Sequence, residues 1–430
     1  MSMQPDGLTG TIMAVEGISD GWTLLNGPLG CKYYHGHIAD RQFPRPGSMD
    51  PMTFCDRFFF GQPRVPCTFL EETDYIGGPS LKLREVLPSL GQKVVGPIVV
   101  VNSPGASLIG EDIEGLVSEM GLSDRCMVVE APGFSRPACD CYDEAMVAIL
   151  RWMAPRRSRP LERSVNILGA SLLQRHWQGS IDELSRLLAP MGVAIHAAVG
   201  AGCSSERLRE SPSASANVAL CREYCGRQAD WYLDEFGVRT ISCRGGAPVG
   251  FDSSEELVIQ VASELGLDPA PSLSSIDQAR AKAYREISRF NTLTGLPKGS
   301  SFSVVADSSI ALPLTRWMYG YLGMVPTAIE LLAGGDAEYT SLLQEFLCDI
   351  GMPEVMDLPV RKEPSDFVFA DGLTISIMKR GDLCRKGIEI ALPAGQRVDL
   401  VPRTLFGVSG SLQIIEDVLN GFWEGDRDGA

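Results

Sequence analysis

Two cysteines lie in contexts that suit metal chemistry. Cys31 ends the glycine- and proline-rich segment Asn26–Cys31, and Cys67 stands shortly before the segment Thr73–Gly78. The glycines and the proline predict a sharp turn. Its backbone N–H groups would be free to face a group bound by Cys31. A thiolate at a strand end beside free N–H groups suits an iron–sulfur cluster, because N–H···S hydrogen bonds disperse negative charge. The alternative is that both cysteines are small buried residues, as most cysteines are.

The remaining thiols are scattered. The chain has 12 cysteines, no CxxC tandem of the zinc-ribbon type, and only two close pairs, Cys139–Cys141 and Cys221–Cys225. Disulfides are not expected, since we expect a cytoplasmic protein. Cys221 and Cys225 would share one face of a helix, which leaves open either a second cluster site or core packing at a strand–helix junction.

Two further groups have alternative interpretations. His35 and His37 would point the same way in an extended segment and could bind a metal together, whereas on a helix they would diverge. Arg403, ahead of the last predicted helix, could hold an anionic substrate in a cleft or pair with an acidic side chain.

Composition and charge exclude several classes of function. The 430 residues are 44% apolar and 21% charged, which is typical of a globular chain with a sizeable core. The net charge of −16 argues against binding to nucleic acid or to an anionic membrane. No stretch approaches about eighteen uninterrupted apolar residues and no signal peptide is recognisable, so we expect a cytoplasmic protein. No P-loop occurs, so the chain is not expected to bind ATP itself.

Short β-branched runs alternate with amphipathic helical stretches, which is typical of parallel sheets covered by helices. The expected strands are Trp22–Asn26, Val65–Leu70, Pro97–Ser103, Cys126–Ala131, Ser164–Ala170, Val193–Val199, Ala216–Leu220, Val238–Cys243, Ser301–Asp307, Thr327–Leu331, Val355–Leu358, Phe367–Ala370 and Gly387–Ala391. The expected helices are Ser80–Leu87, Glu111–Met120, Tyr142–Met153, Ser254–Leu265, Ile276–Asn291, Ile310–Leu322 and Ser409–Asn420. The pattern predicts three α/β units of similar size, with a linker at 154–160 after the first.

Several segments occur in the order in which one protein family has them. Ile18–Cys31 is similar to that family's "HGP.GC" turn with its first cluster cysteine, Cys67–Gly78 to the second cysteine with an "E.D.VFGG" element, and Ser103–Ile113 to a "C…IGDD" segment. Later similar segments are Ala216–Cys221 with the helix that follows, Pro248–Phe251 and Arg403–Asn420. Together they resemble nitrogenase component 1 and its relatives, the nitrogenase/oxidoreductase superfamily, over nearly the whole chain.

The resemblance implies three Rossmann-like domains with parallel sheets around a central cleft. The domains would span 1–160, 161–298 and 299–400, and a C-terminal helix within 401–430 would return to the first domain. It also implies a homologous component-1-like partner subunit, with an iron–sulfur cluster, [4Fe–4S] or larger and P-cluster-like, at the interface of the two chains. An ATP-dependent iron–sulfur reductase (iron protein) would dock over the cluster and deliver single electrons.

By the same resemblance, Cys31 and Cys67 would ligate the cluster, and N–H groups of Gly30 and Gly78 would tune its potential. A cluster needs about four protein donors. Since this chain offers two clear ones, the resemblance implies that a partner supplies the others.

Three positions depart from the family pattern or remain ambiguous. Ser103 stands where the family has its third cluster cysteine, and it could ligate iron as an alkoxide or cap a turn. Cys55, in an insert at 43–60, could substitute as a ligand or be a surface thiol. Cys221 matches the cysteine that holds the active-site metallocofactor in catalytic nitrogenases, but no histidine follows His196 to serve as the second anchor. Nitrogen reduction is therefore not expected.

The leading hypothesis is an electron-transferring subunit of a nitrogenase-like reductase with a small organic substrate. Proteins with this resemblance reduce tetrapyrrole double bonds or nickel-porphinoid precursors, or cleave carbon–sulfur bonds of methylthio-alkanes. One rival is a metallocluster assembly scaffold, which would release a cluster to an acceptor without substrate turnover. The other is a metal-free α/β ligand-binding protein, which would be colourless and free of iron.

Overall fold

Three parallel β-sheets, each accompanied by helices, organise the computed structural model of the chain, which describes residues 4–43, 58–78, 80–130, 133–395 and 398–424. Every pairing between the strands of these sheets is parallel. The predicted α/β class is therefore confirmed. The domain limits at 160, 298 and 400 remain a prediction, and each sheet falls within one of the predicted ranges.

The first unit contains a three-stranded sheet in the order β1–β2–β3. Its elements are α1 (Gly7–Glu16), β1 (Trp22–Asn26), α2 (Leu29–Gln42), α3 (Glu72–Gly77), α4 (Ser80–Lys93), β2 (Ile98–Asn102), α5 (Pro104–Ser107), α6 (Ile113–Glu119), β3 (Cys126–Val129) and α7 (Ala138–Met153). The central strand β2 is buried along its whole length, because its apolar run Ile98–Val101 is covered on both faces. The wholly buried helix α1 packs along α7.

The expected strand at Val65–Leu70 is wrong. Only one bridge forms there, in which Leu25 N donates to the carbonyl of Pro66 at 2.9 Å and Thr68 N donates to the carbonyl of Leu25 at 3.1 Å. The φ angles of Val65 and Phe69 are +55° and +52°, which interrupts the extended backbone on either side of Cys67. The segment is therefore an irregular loop laid against the end of β1.

The second and third units each contain a four-stranded sheet with the same strand order, in which the unit's first strand lies between its second and third. The second unit has β4 (Leu161–Leu168), α8 (Trp177–Leu188), β5 (Ala194–Ala198), α9 (Ser205–Glu210), β6 (Ala214–Ala219), α10 (Gly226–Phe236), β7 (Thr240–Ser242), α11 (Phe251–Leu265) and α12 (Ala270–Thr294). The third has β8 (Ser301–Ala306), α13 (Ser308–Leu322), β9 (Val325–Leu331), α14 (Ala337–Asp349), β10 (Ser365–Asp371), α15 (Gly372–Arg380), β11 (Cys384–Ala391) and α16 (Gly407–Glu424). This order creates a crevice at the carboxyl ends of the strands, where connections leave in opposite directions.

A second predicted strand, Val355–Leu358, is also wrong. Residues Pro353–Met356 form a short 3₁₀ helix, in which Pro353 occupies the first turn and only Val355 is buried. Proline at the start of a turn has no N–H to contribute to a sheet, and one buried apolar residue is too few to hold a strand in place.

The C-terminal helix α16 does not return to the first unit as expected. It packs on α8, α11 and α12 of the second unit and on β11 of the third. Its buried residue Phe422 contacts Phe290 of α12 and Phe367 of β10, with ring centroids 5.9 and 4.8 Å apart. The apolar face of α16 therefore seals the junction between the second and third units. Among the described residues, no helix is long and apolar enough to cross a membrane.

Candidate functional site

Cys31 lies in the first turn of α2 rather than at the end of a strand. Pro28 is the N-cap of this helix, and the backbone N–H of Cys31 donates to the carbonyl of Pro28 at 3.2 Å. The neighbouring Gly30 is exposed, with no atom within 4 Å of the position a Cβ would take. The N-terminus of a helix presents backbone N–H groups and a partial positive charge, so it favours a thiolate or another anion.

Cys67 is fully buried against the same turn. Its Sγ lies 3.1 Å from the carbonyl oxygen of Gly27 and 3.8 Å from that of Pro28, and it accepts the N–H of Phe69 at 3.5 Å. Burial raises the pKa of Cys67 to about 12, despite the opposing effects of the Phe69 N–H and of nearby Lys32. The negative form of Cys31 raises it as well, which reflects the proximity of the two thiols. The structure thus brings together the two predicted ligands.

Lys32 is a feature that the sequence interpretation missed. Its side chain is fully buried, and Nζ donates to the carbonyls of Arg64 at 3.1 Å and Val65 at 2.9 Å. Burial lowers the pKa of Lys32 to about 8, and the proximity of Cys67 works against that shift. A buried cation beside Cys67 favours the negative form of this thiol, although the effect of burial is larger. Nothing in its sequence context distinguishes this lysine from an exposed one.

Ser103 lies next to the turn and caps α5. Its hydroxyl accepts the N–H of Ala106 at 3.4 Å, and the side chain packs so closely on Gly27 that a Cβ there would lie 2.8 Å from Ser103 Oγ. The ring of Tyr75 covers Gly105, next to this cap. Burial raises the pKa of Tyr75, and the nearby thiols act in the same direction. The capping alternative for Ser103 is therefore the one seen, while iron ligation by Ser103 stays a prediction.

Gly78 cannot supply the hydrogen bond predicted for it. Its N–H donates to the carbonyl of Asp74 at 2.8 Å and ends α3. Its φ of +93° and the carboxylate of Glu111, which lies 1.8 Å from where a Cβ would be, explain why glycine is needed here. The role predicted for Gly30 remains a prediction.

Two further candidate thiols, Cys221 and Cys225, do not join this site. Cys221 is fully buried in the core, Cys225 donates its thiol to the carbonyl of Cys221 at 3.5 Å, and burial raises the pKa of both well above the ordinary value. These contacts are those of core packing, and a cofactor role for Cys221 stays a prediction. Cys55 lies outside the described residues. The eleven cysteines within the described residues are all free thiols.

The two histidines diverge, as a helix requires. His35 is buried in α2 and hydrogen-bonds through Nδ1 to Thr9 Oγ1 at 3.1 Å, whereas His37 is exposed. Arg403 forms a bidentate pair with Asp417, at 3.0 and 3.2 Å, so the acid-pairing alternative holds. Within the described parts of the chain, no group of three or more His, Cys, Asp or Glu side chains could hold a metal ion. Among the described residues, no third side chain of these types therefore joins the two thiols.

Two adjoining cavities lie close to the start of α2. An apolar pocket of about 490 Å³ is lined by residues of α2, and the segment that follows β11 closes its other side; the lining residues are Pro5, Gly30, Tyr33, Tyr34, His37, Ile38, Gln62, Leu392 and Pro393. A second cavity, of about 40 Å³, shares Pro5 and Leu392 with it and is lined by residues of all three units. This second cavity marks the central cleft.

Comparisons with known proteins agree with this architecture. A subunit of a light-independent protochlorophyllide reductase from Roseiflexus sp. (strain RS-1) is 26% identical over 294 residues, which cover 67% of this chain and 48% of the relative. The corresponding subunit from Acidiphilium rubrum is 28% identical over 51% of this chain and 42% of the relative, and that from Angiopteris evecta is 24% identical over 97% and 82%. The chain thus spans about half the length of the first two relatives.

A solved structure and a family model complete the comparison. The structure of nitrogenase Cp1 at pH 6.5 superposes with a TM-score of 0.78 at 13% identity, over 99% of this chain and 93% of that one, which shows a shared fold. The family model for nitrogenase component 1 type oxidoreductases matches residues 7–422. Because this match covers nearly the whole chain, the protein belongs to the nitrogenase component 1 type oxidoreductase family.

Proposed function

We propose that this chain is the component-1-like subunit of a nitrogenase-like reductase complex and holds part of an iron–sulfur cluster through Cys31 and Cys67. The observation that carries the proposal is the meeting of both residues at the carbonyl of Pro28, at the start of α2. The site combines a half-buried thiol on a helix N-terminus with a buried thiol that already accepts an N–H and lies beside a buried lysine. Burial raises the pKa of both thiols, so metal binding would be accompanied by the loss of their protons.

The donors fit a cluster shared between two chains. An iron–sulfur cluster takes about four protein ligands, and the described part of this chain brings two cysteines together. Cys31 is half-buried beside the exposed Gly30, so a homologous component-1-like subunit could contribute the remaining ligands from that side. Bound there, a [4Fe–4S] or larger P-cluster-like group would store and pass on single electrons.

The proposed partners follow from the family and from the absence of a P-loop in this sequence. The sequence has no P-loop, so an ATP-dependent iron–sulfur reductase would deliver the electrons. We place the complex in the cytoplasm, where thiols remain reduced.

A small organic substrate fits the apolar pocket beside the start of α2. Gly30 and the rings of Tyr33 and Tyr34 line this pocket, so a flat apolar molecule could lie close to the cluster ligands. The relatives are named as protochlorophyllide reductase subunits, which makes protochlorophyllide the first probe to test.

The test is anoxic purification of the tagged chain from its own cells, so that a partner subunit is retained. Iron and acid-labile sulfide should be present in the wild type and lost in Cys31→Ala and Cys67→Ala. Cys348→Ala, which changes an exposed thiol, is the matched control and should retain both. A wild-type complex free of iron would overturn the proposal and favour the metal-free alternative.

A second measurement separates the reductase from an assembly scaffold. The purified complex is supplied with the iron protein, ATP and protochlorophyllide, and reduction is followed by absorption. Turnover that depends on Cys31 and Cys67 supports the proposal. Release of iron and sulfide to an acceptor protein without turnover would instead identify a scaffold.

A further inference from the structure

The junction of the second and third units contains two buried carboxyl groups, Glu223 and Asp307. Asp307 follows β8 and is the N-cap residue of α13, yet its side chain makes no capping hydrogen bond. Glu223, from the second unit, replaces it in this role. Its Oε1 accepts the N–H of Ser309 at 3.0 Å and the hydroxyl of Ser308 at 3.1 Å, and Oε2 accepts the hydroxyl of Ser309. The carboxyl group of Asp307 is thereby released from the helix end.

The released carboxyl group faces the central cleft. Asp307 is 9% exposed and lines the 40 Å³ cavity together with Cys139, Gln174 and Tyr224, which come from the first and second units. The hydroxyl of Tyr224 lies 3.4 Å from Asp307 Oδ1. The residue stands at the carboxyl end of β8, next to β10, where the strand order of the third unit opens a crevice.

The charges around Asp307 favour its protonated form. Burial raises its pKa well above the ordinary value, and the negative charge of Glu223 adds to the effect, while the Tyr224 hydroxyl opposes it. The burial of Cys139 and Tyr224 raises the pKa of both, so these two neighbours of Asp307 favour their neutral forms. Glu223 is a positioning residue. Its charge favours the protonated form of Asp307, and its hydrogen bonds to the start of α13 replace those that the Asp307 side chain would make as a cap.

We propose that Asp307 donates a proton to the substrate during reduction, an inference that rests on the proposed function. Reduction of one carbon–carbon double bond takes two electrons and two protons. The iron protein supplies the electrons singly. The O–H bond of the Asp307 carboxyl breaks as its proton passes to a water molecule, and that water gives up a proton as the C–H bond forms on the substrate. Solvent supplies the second proton and then restores the carboxyl.

The two adjoining cavities provide the route. The substrate pocket and the smaller cavity share Pro5 and Leu392. A cavity of about 40 Å³ has room for a few water molecules, since one needs about 10–15 Å³. In the proposed step, water in the smaller cavity would carry the proton from Asp307 towards a molecule held beside Tyr33 and Tyr34.

The first test does not depend on substrate. Infrared spectra of the wild-type complex at neutral pH should show a protonated carboxyl band that shifts in D₂O and is absent in Asp307→Asn. The exposed residue Asp252 provides the control, and Asp252→Asn should retain the band. If Asp307→Asn leaves the carboxyl bands unchanged, the proposal is overturned, whether or not the complex contains iron.

The second test measures turnover with the protochlorophyllide probe. Asp307→Asn should lower the rate about 10²-fold or more, the usual contribution of a general acid. Its iron content and ATP hydrolysis should stay at wild-type levels, and Asp307→Glu should recover part of the rate. An unchanged rate in Asp307→Asn would overturn the proposal, whereas loss of iron in the wild type would instead point to failure of the proposed function.

Discussion

Cys31 and Cys67 meet at one backbone atom, the carbonyl oxygen of Pro28, which lies 3.2 Å from the amide nitrogen of Cys31 and 3.8 Å from Sγ of Cys67. The relationship depends on the turn at the start of α2 and on the loop that carries Cys67. One bridge to β1 and further hydrogen bonds to Asn26 and Gly27 hold this loop in place. The two thiols have different surroundings, since Cys31 is half-buried and Cys67 is fully buried. Their chemical behaviour should differ accordingly.

In the metal-free protein, the rate of thiol alkylation should fall as the burial of the cysteine increases. Cys348 is exposed and should react first with iodoacetamide, Cys31 more slowly and Cys67 last, because burial raises the pKa of Cys67 to about 12 and blocks access. Mass spectrometry of tryptic peptides measures the rates. Cys126 is also buried, with a pKa of about 12, and is the control. Reaction of Cys67 as fast as Cys348 would contradict the structure.

Gly78→Ala should destabilise the first unit. A Cβ at this residue would lie 1.8 Å from Glu111 Oε1, and a φ of +93° is strained for alanine. We expect a loss of about 1–3 kcal/mol in the free energy of unfolding, measured by urea denaturation. Gly77→Ala is the matched control, because no atom lies within 4 Å of its Cβ position. Equal stability of the two variants would show that the carboxylate is not placed as described.

The buried pair Arg64–Glu16 should matter far more than a surface pair. Both side chains are 1% exposed or less, so Arg64→Leu removes the cation that pairs with the buried carboxylate of Glu16. We expect a loss of about 3–5 kcal/mol in the free energy of unfolding. Arg84→Leu removes the exposed Arg84–Glu119 pair and should change the value by about 0–1 kcal/mol. A small effect of Arg64→Leu would refute the burial of this pair.

Acid should destabilise the protein through His35. Burial lowers its pKa from 6.5 to about 4 in the folded state, and Asp6 opposes that shift. Between pH 6.5 and 4 the unfolded chain therefore binds more protons than the folded one, so stability falls as the pH falls through this window. The contribution of this residue is on the order of 3 kcal/mol, at about 1.36 kcal/mol per pKa unit.

Unfolding curves at about pH 7 and about pH 4.5 give the free energy of unfolding at two pH values that span most of this window. His35→Gln should reduce the difference in stability between the two values. His37→Gln changes an exposed histidine of the same helix and should leave the difference unchanged. An identical pH dependence in the His35→Gln variant and the wild type would show that His35 is not the titrating group.

The local sequence pattern predicted the strands of the sheets well, but it wrongly predicted a strand for the loop that carries Cys67. The uninterrupted apolar run of Ile98–Val101 can only be a buried strand, and the structure has it within β2. Val65 looks equally suited to a strand, yet its φ of +55° interrupts the extended backbone. The direction of α16 was likewise undetermined by its amphipathic pattern, because any apolar surface could have received it.

By itself, the sequence determined the α/β class and the family and singled out the two cysteines of the proposed site, because hydrophobic period, turn residues and motif order are local properties of the chain. The tertiary structure decided what surrounds them. Neither the burial of Lys32 beside Cys67 nor the exchange of capping roles between Glu223 and Asp307 can be read from spacing. Both depend on residues of separate elements that meet in the low-dielectric interior. There, a buried charge or a helix end is costly unless another group hydrogen-bonds to it or carries the opposite charge.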